Sequence, residues 1–274
     1  MTYSEIVKEL SSYGSTEPEA EALILLNEYF GMTRQDTVLF PGKDYSGEKL
    51  AYALNRRSTG EPIQYIIGRV YFYGNEFKVT ENTLIPRPDT EILCEAVIDR
   101  LPQSAYFLEL CTGSGCIPVS ILKARNDTKA KAIELYKKTA AVAIDNRELN
   151  QIDPDRLEIV CADALKLSVD ENAGKFDAIV SNPPYIRSEV ISTLSKEVSF
   201  EPPAALDGGK DGLIFYRKFL ADYRSFLKDG GFFAFEIGFD QALDIKNLAI
   251  SHSYSSVEII KDYSGNDRVA IIKP

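Results

Sequence analysis

The sequence has no tryptophan, one histidine and four cysteines among its 274 residues. The histidine, His252, lies in the polar stretch SHSYSS, which argues against the Ser–His and Cys–His pairs of most nucleophilic enzymes. The cysteines, Cys94, Cys111, Cys116 and Cys161, form no CxxC pair and are interpreted as free buried thiols. We therefore expect no metal site.

Positive charge and long apolar runs are also scarce. The 31 Lys and Arg are outnumbered by 41 Asp and Glu, and no basic block offers a surface for nucleic-acid phosphates. No apolar run approaches the ~18 residues of a membrane span, and the opening MTYSEIVKEL lacks the pattern of a signal peptide. We expect a cytoplasmic protein with no direct nucleic-acid or membrane partner.

The pattern of the chain changes twice. Residues 1–68 are helical in pattern, which predicts a small helical domain or a helical decoration of the next one. Residues 69–82, RVYFYGNEFKVTEN, place apolar runs around the turn dipeptide Gly74-Asn75 and predict a β-hairpin linker. Strand and helix patterns then alternate over residues 83–274, which predicts an α/β domain with a mostly parallel sheet.

A glycine loop, ELCTGSGCIP, lies where the first strand of this α/β region becomes a helix. Gly113 and Gly115 allow a sharp turn and a close backbone approach to a ligand, and the free N–H groups of the helix suit an anion. A dinucleotide-binding loop would have a third glycine where Pro118 stands, so a dinucleotide enzyme is disfavoured.

An acidic residue about 20 positions further on would hold the ribose hydroxyls of a nucleoside cofactor. Glu134 fits this spacing, whereas Asp145 leaves too little chain for a crossover helix, so we interpret Asp145 as a solvated helix residue. Asp163, after the third strand, either meets an adenine amino group or caps a helix. Ribose and adenine contacts without a pyrophosphate loop predict S-adenosylmethionine as the cofactor.

The stretch SNPPYI ends the fourth strand. Asn182 stands at the carboxyl edge of the sheet, and Pro183 and Pro184 stiffen the loop that presents it. The Asn182 amide oxygen and a backbone carbonyl of the loop can accept both hydrogens of a planar NH2 group, on which Tyr185 can stack. Such a grip aims the delocalised lone pair of the nitrogen at an electrophilic methyl group. We predict catalytic roles for Asn182, Pro183 and Tyr185; the alternative is a rigid loop that only ends a strand.

These motifs, together with LIPRPDTE, EPPAALDGGKDGLIFYR, FEIGFDQ and DYSGNDR, resemble the bacterial peptide chain release factor N5-glutamine methyltransferases. The resemblance implies a helical N-terminal domain that recognises the substrate, a hairpin linker and a Rossmann-like class I methyltransferase domain. It implies a seven-stranded sheet whose last strand is antiparallel. It also implies methyl transfer from S-adenosylmethionine, which becomes S-adenosylhomocysteine, to the glutamine amide in the Gly-Gly-Gln tip of release factors.

The predicted cofactor-binding residues are Cys111, Thr112, Gly113, Ser114, Gly115, Glu134, Asp163, Ala164 and Asn182. The predicted substrate-binding residues are Asn182, Pro183, Pro184 and Tyr185. The family usually has aspartate where Glu109 and Glu134 stand and glycine where Cys111 stands.

Rival functions share the NPPY motif. Methylation of an exocyclic amine of a nucleic-acid base would need a flipped base and a basic binding surface. Methylation of a ribosomal-protein glutamine, or a non-catalytic binding role on the same fold, are further alternatives. Arg87 could hold the cofactor carboxylate or the substrate loop, or pair with Glu91 or a backbone carbonyl, and Glu201 and Pro202 could line the substrate mouth.

Overall fold

The computed structural model describes residues 1–167 and 175–274. The chain separates into two compact units, one made of Met1–Arg69 with Ser195–Phe200 and the other of Val70–Leu194 with Glu201–Pro274. The chain therefore passes from one unit to the other three times. No sequence pattern indicated the return at Ser195–Phe200.

The first unit is helical. Its helices are α1 Tyr3–Ser12, α2 Pro18–Phe30, α3 Arg34–Leu39, α4 Glu48–Ser58 and α5 Ile63–Ile67. Thr2 caps α1, because its hydroxyl oxygen accepts the Glu5 N–H while the Glu5 carboxylate accepts the Thr2 N–H. Apolar residues of α1, α2 and α4, such as Ile6, Leu25 and Leu54, pack into one core.

A buried arginine holds the returning segment within this unit. The Arg57 side chain is 1% exposed, and its Nε and Nη2 donate to the Glu21 carboxylate at 2.8 and 2.9 Å. Nη2 also donates to the carboxylate of Glu197, which lies in Ser195–Phe200. Because a buried charge is costly without partners, the two carboxylates stabilise the Arg57 guanidinium, the buried Glu21 more than the half-exposed Glu197.

The hairpin pairs β1 (Arg69–Phe72) with β2 (Asn75–Lys78). Its turn residues are Tyr73 and Gly74, with φ values of 48° and 72°. Two successive positive φ values give the turn a twist that matches the strands. The expected turn at Gly74-Asn75 is therefore displaced by one residue, because Asn75 already begins β2.

The second unit contains a seven-stranded sheet in the order β5-β4-β3-β6-β7-β9-β8. Its strands are β3 Tyr106–Leu110, β4 Lys129–Glu134, β5 Leu157–Cys161, β6 Phe176–Ser181, β7 Leu227–Glu236, β8 Ser256–Lys261 and β9 Asp267–Lys273. Its helices are α6 Glu91–Ile98, α7 Cys116–Ala124, α8 Lys137–Leu149, α9 Ser188–Ile191, α10 Ile214–Asp222 and α11 Ala242–Ser251. None of the helices that the structure describes is long and apolar enough to cross a membrane.

Neighbouring strands from β5 to β7 run parallel, whereas β9 is antiparallel to both β7 and β8. This confirms the predicted fold class, including the antiparallel last strand. The sheet has an apolar cluster on each face, and successive residues Phe107 and Leu108 of β3 point into opposite clusters. Because β4, β3 and β6 are adjacent and parallel, their carboxyl ends meet at one edge, where such sheets bind ligands.

Candidate active site

A cleft with about 1090 Å³ of empty space, part of it open to solvent, lies at this edge. The predicted site residues that line it are Cys111, Thr112, Gly113, Ser114, Glu134, Asp163, Ala164, Asn182 and Pro184. Gly115, Pro183 and Tyr185 are absent from its described lining. The structure thus brings most of the predicted residues together around one cavity.

The glycine loop turns sharply between β3 and α7. Gly113 and Gly115 have φ values of 58° and 79°. A Cβ on Gly115 would lie 3.2 Å from the Ala143 Cβ, so Gly115 permits close packing of α7 on α8. Cys111 also has a positive φ, 62°, at the position where the family usually has glycine. Burial raises the pKa of the Cys111 thiol, so it remains a neutral group in the cleft.

Glu134 ends β4 and braces the glycine loop. Its Oε2 accepts the Gly113 N–H and its Oε1 accepts the Tyr136 N–H, each at 3.0 Å. Burial raises the Glu134 pKa, although these backbone bonds oppose the shift. Each carboxylate oxygen retains acceptor capacity for a vicinal hydroxyl. Asp145, in contrast, lies on α8 and pairs with Lys78 at 2.6 Å, with its side chain about half exposed.

Asp163 follows β5 and lines the cleft. Its Oδ1 accepts the Leu165 N–H and its Oδ2 pairs with Lys166, both at 2.9 Å. The Lys166 ammonium lowers the Asp163 pKa. Asp163 therefore stabilises a turn, not the start of a helix in the described residues, and it also lines the cleft; its contact with an adenine amino group stays a prediction.

The asparagine loop is fixed by side chains from two other elements. Asn182 Nδ2 donates to Thr90 Oγ1 at 3.3 Å, and the Tyr185 hydroxyl donates to the Glu236 carboxylate at 3.2 Å. Burial and the neighbouring Glu236 charge raise the Tyr185 pKa, which keeps the phenol neutral. The two prolines between Asn182 and Tyr185 are buried.

The segment LDGGKDG packs behind this loop. The Ile186 N–H donates to the Leu206 carbonyl at 3.0 Å, and the Gly208 N–H donates to the Ile186 carbonyl at 2.8 Å. A Cβ on Gly208 would lie 2.7 Å from the Tyr185 Cα and 2.8 Å from the Pro184 carbonyl oxygen. Glycine at this position therefore allows the two backbones to touch.

The carbonyl oxygen of Tyr185 accepts a hydrogen bond from a glutamine and lies close to a second glycine. Gln241 Nε2 donates to this oxygen at 3.1 Å, and a Cβ on Gly212 would lie only 2.3 Å from the same oxygen. Among the hydrogen bonds of the described residues, none reaches the carbonyl oxygen of Pro183. The same holds for the carbonyl oxygens of Asn182 and Pro184, so the described loop has unpaired acceptors next to the Asn182 side chain.

Arg87 lines the cleft, but its charge is already compensated. It forms an ion pair with Glu201, which is 2% exposed. The proposed pairing of Arg87 with Glu91 is wrong, because Glu91 accepts a backbone N–H of the hairpin turn instead. Pro202 lines the cleft as expected, whereas Glu201 serves to hold Arg87.

Sequence reasoning missed part of the cleft wall, which includes Asn82, Leu84, Pro86, Thr90, Ile133, Leu135, Tyr136, Thr139 and Phe215. Leu135 and Tyr136 could have been predicted from the sequence, since two large side chains directly follow the acidic residue at a strand end. They are 47% and 50% exposed and offer apolar surface to a flat ring. Among the described residues, no group of three or more His, Cys, Asp or Glu side chains is arranged to hold a metal ion.

Known proteins match both parts of the chain. The PrmC N-terminal domain model matches residues 2–68, and the Methyltransferase small domain model matches residues 88–229. The release factor glutamine methyltransferase of Agrobacterium fabrum is 36% identical over 272 residues, which cover 96% of this chain and 92% of the relative. That of Clostridium acetobutylicum is 39% identical over 221 residues, which cover 80% of this chain and 77% of the relative.

Among solved structures, a methyltransferase from Pyrococcus furiosus superposes with a TM-score of 0.54 and 23% identity. The match covers 73% of this chain and 89% of that one, and it supports the methyltransferase fold. The sequence relatives confirm the resemblance inferred from the motifs. This chain belongs to the release factor glutamine methyltransferase family.

Proposed function

We propose that the protein methylates the side-chain amide nitrogen of the glutamine in the Gly-Gly-Gln tip of a release factor, with S-adenosylmethionine as the methyl donor. The observation that carries the proposal is the stiff asparagine loop, which stands at the cleft beside the Glu134-braced glycine loop. The names of the relatives support the choice of substrate over a nucleic-acid base or a ribosomal protein.

The residues present fit the cofactor. Glu134 has acceptor capacity for ribose hydroxyls, and Leu135 and Tyr136 offer an apolar surface for the adenine ring. The turn at Gly113 leaves the backbone bare beside them, since a Cβ there would meet no atom within 4 Å. When bound, S-adenosylmethionine supplies an electrophilic methyl group on a sulfonium centre.

The chain's own residues prepare the glutamine amide. The Asn182 Oδ1 accepts one of its hydrogens and the free Pro183 carbonyl accepts the other, which fixes the plane of the substrate NH2 group. Because this lone pair is delocalised, the amide reacts only when it is well aligned, and alignment is what a rigid loop provides. The neutral Tyr185 ring, tied to Glu236, packs against the flat substrate group. The nitrogen gains the methyl group and releases one proton to water.

The same proposal assigns residues 1–68 to substrate recognition, residues 69–82 to the linker and residues 83–274 to catalysis. The match of the PrmC N-terminal domain model to residues 2–68 supports this division. A release factor as substrate also implies a cytoplasmic location.

The test is methyl transfer from labelled S-adenosylmethionine to a release factor and to its Gly-Gly-Ala tip variant. We expect label on the first and none on the second; equal label on both would reject the glutamine site. Asn182→Ala should lower kcat by about 100-fold or more, since it removes an aligned acceptor, while cofactor affinity measured by calorimetry changes little. Undiminished turnover in Asn182→Ala would refute the mechanism.

A further inference from the structure

A buried carboxylate stands behind the asparagine loop and has no role in the mechanism above except to hold Tyr185. Glu236 is 2% exposed and ends β7, the strand next to β6. Its Oε2 accepts the Thr90 hydroxyl at 2.6 Å and its Oε1 accepts the Tyr185 hydroxyl at 3.2 Å. Each oxygen of the carboxylate therefore faces a hydroxyl donor.

Burial raises the pKa of Glu236 above its ordinary value, while the two hydroxyl donors and a nearby positive charge act against this rise. An ionised carboxylate can only accept, and both hydroxyls donate to it. The positive charge of Arg268, which pairs with Asp89 and Asp262 at 3.1 and 3.0 Å, also lowers the Glu236 pKa.

The donation from Thr90 to Glu236 decides what Thr90 can offer to Asn182. A hydroxyl has one hydrogen, and Thr90 commits it to Glu236. The Thr90 oxygen can then only accept, so the Asn182 amide must turn its NH2 group towards Thr90, as the 3.3 Å bond shows. The Asn182 Oδ1 consequently points away from Thr90.

We infer that Thr90 and Glu236 are positioning residues that fix which end of the Asn182 amide meets the substrate. The inference rests on the proposed function, because the substrate it concerns is the NH2 group of glutamine. The two ends of an asparagine amide have nearly the same shape, so packing alone selects weakly between them. A reversed Asn182 would point N–H donors at the N–H donors of the substrate, and the grip would be lost.

Thr90 offers a matched pair of substitutions. Thr90→Val keeps the shape but can neither accept from Asn182 nor donate to Glu236, whereas Thr90→Ser keeps the hydroxyl. We expect Thr90→Val to lower kcat by about 10- to 100-fold, because an aligned acceptor is lost for much of the time. The KM for the release factor and the cofactor Kd should stay within about threefold, since alignment rather than uniform binding is lost. Thr90→Ser should restore kcat to within about threefold of wild type.

Glu236→Gln reverses the direction of the hydrogen bond between residues 90 and 236. The glutamine oxygen can still accept from Tyr185, while its NH2 group donates to Thr90. Thr90 is then free to give its hydrogen to the Asn182 Oδ1, which stabilises the unproductive orientation. The kcat of Glu236→Gln should therefore fall, and adding Thr90→Val should cause little further loss, because both changes act through one contact.

Thr128→Val is the control for removing a buried threonine hydroxyl. Thr128 is 1% exposed, donates to the Arg125 carbonyl at 2.8 Å and precedes β4, at the edge of the sheet opposite the cleft. It should keep the wild-type kcat.

Three results would overturn the inference: a Thr90→Val kcat equal to wild type, a Thr90→Ser loss as large as that of Thr90→Val, or losses of Thr90→Val and Glu236→Gln that multiply. Failure of the wild-type protein to label the release factor would instead refute the proposed function.

Discussion

Gly212 supports the asparagine loop from behind, and its substitution gives a quantitative test of how rigid that loop must be. Gly212 has a φ of 75°, and a Cβ there would lie 2.3 Å from the Tyr185 carbonyl oxygen and 2.7 Å from Gln241 Nε2. Ordinary contacts of a Cβ begin near 3.4 Å. Gly212→Ala must therefore displace the backbone at Tyr185 by about 1 Å, and a misplacement of that size can cost about 100-fold in rate.

The expected loss of stability has two parts. An alanine at positive φ costs about 1 kcal/mol, and the clash with the loop adds about 1 to 3 kcal/mol. Gly230→Ala is the matched control, because Gly230 has a φ of 79° but no atom within 4 Å of a Cβ. It should show only the first part, with full activity.

The assay combines initial rates of methyl transfer at saturating substrates with urea unfolding of both variants. Rates are measured at a temperature where each variant is folded, so that a fall in kcat reports geometry rather than the folded fraction. We expect Gly212→Ala to lose about 100-fold in kcat and Gly230→Ala to lose none. Equal stability losses together with unchanged kcat in Gly212→Ala would show that the contact with Tyr185 does not constrain the loop.

Three further predictions concern charged groups. Glu134→Ala should weaken cofactor binding by about 100-fold in calorimetry, as expected for lost hydrogen bonds to a carboxylate, whereas Asp145→Ala should change it little; the reverse order would refute the ribose assignment. Burial raises the pKa of Glu109 to about 8 from an ordinary 4.5. Because the unfolded chain ionises first as the pH rises between these two values, the free energy of unfolding of the wild-type protein falls there. The free energy of unfolding of Glu109→Gln, measured in urea, should therefore rise relative to wild type by up to about 1.4 kcal/mol per pH unit there, and a pH-independent difference would contradict this. Arg57→Ala should lower the free energy of unfolding in urea by about 3 to 5 kcal/mol, because it leaves a buried carboxylate unpaired. Glu197→Gln should lower it by about 1 kcal/mol or less, because the Glu197 side chain is 45% exposed. Equal losses of stability in the two variants would contradict this account.

The parts of the site that follow strand ends were predictable from the sequence. The glycine loop, Glu134 and Asn182 each directly follow or end an apolar strand, and a parallel sheet brings such ends to one edge. The spacing argument placed the end of the second strand at Glu134 and Asp145 on a helix, and both placements are confirmed because a crossover helix needs a minimum length that α8 supplies. Local patterns of this kind determine position on the fold without any knowledge of distant contacts.

The supporting contacts were not predictable, because they join residues far apart in the chain. Thr90 and Glu236 are separated by 146 positions, and Arg87 and Glu201 by 114. No periodicity or motif spacing specifies which acidic residue meets which donor at such distances. The hairpin turn shifted for a local reason, since Tyr73 adopts a positive φ that its residue type rarely favours.

The six residues Ser195–Phe200 make the helical unit discontinuous in sequence. A fragment that ends at Arg69 would contain Arg57 and Glu21 but not Glu197, so the buried guanidinium would lack one of its two acidic partners. Chimeras that graft only the first 69 residues from a relative would therefore join mismatched halves of one structure. A complete exchange of the helical unit between relatives requires two grafts, the second carrying Glu197, the partner of Arg57.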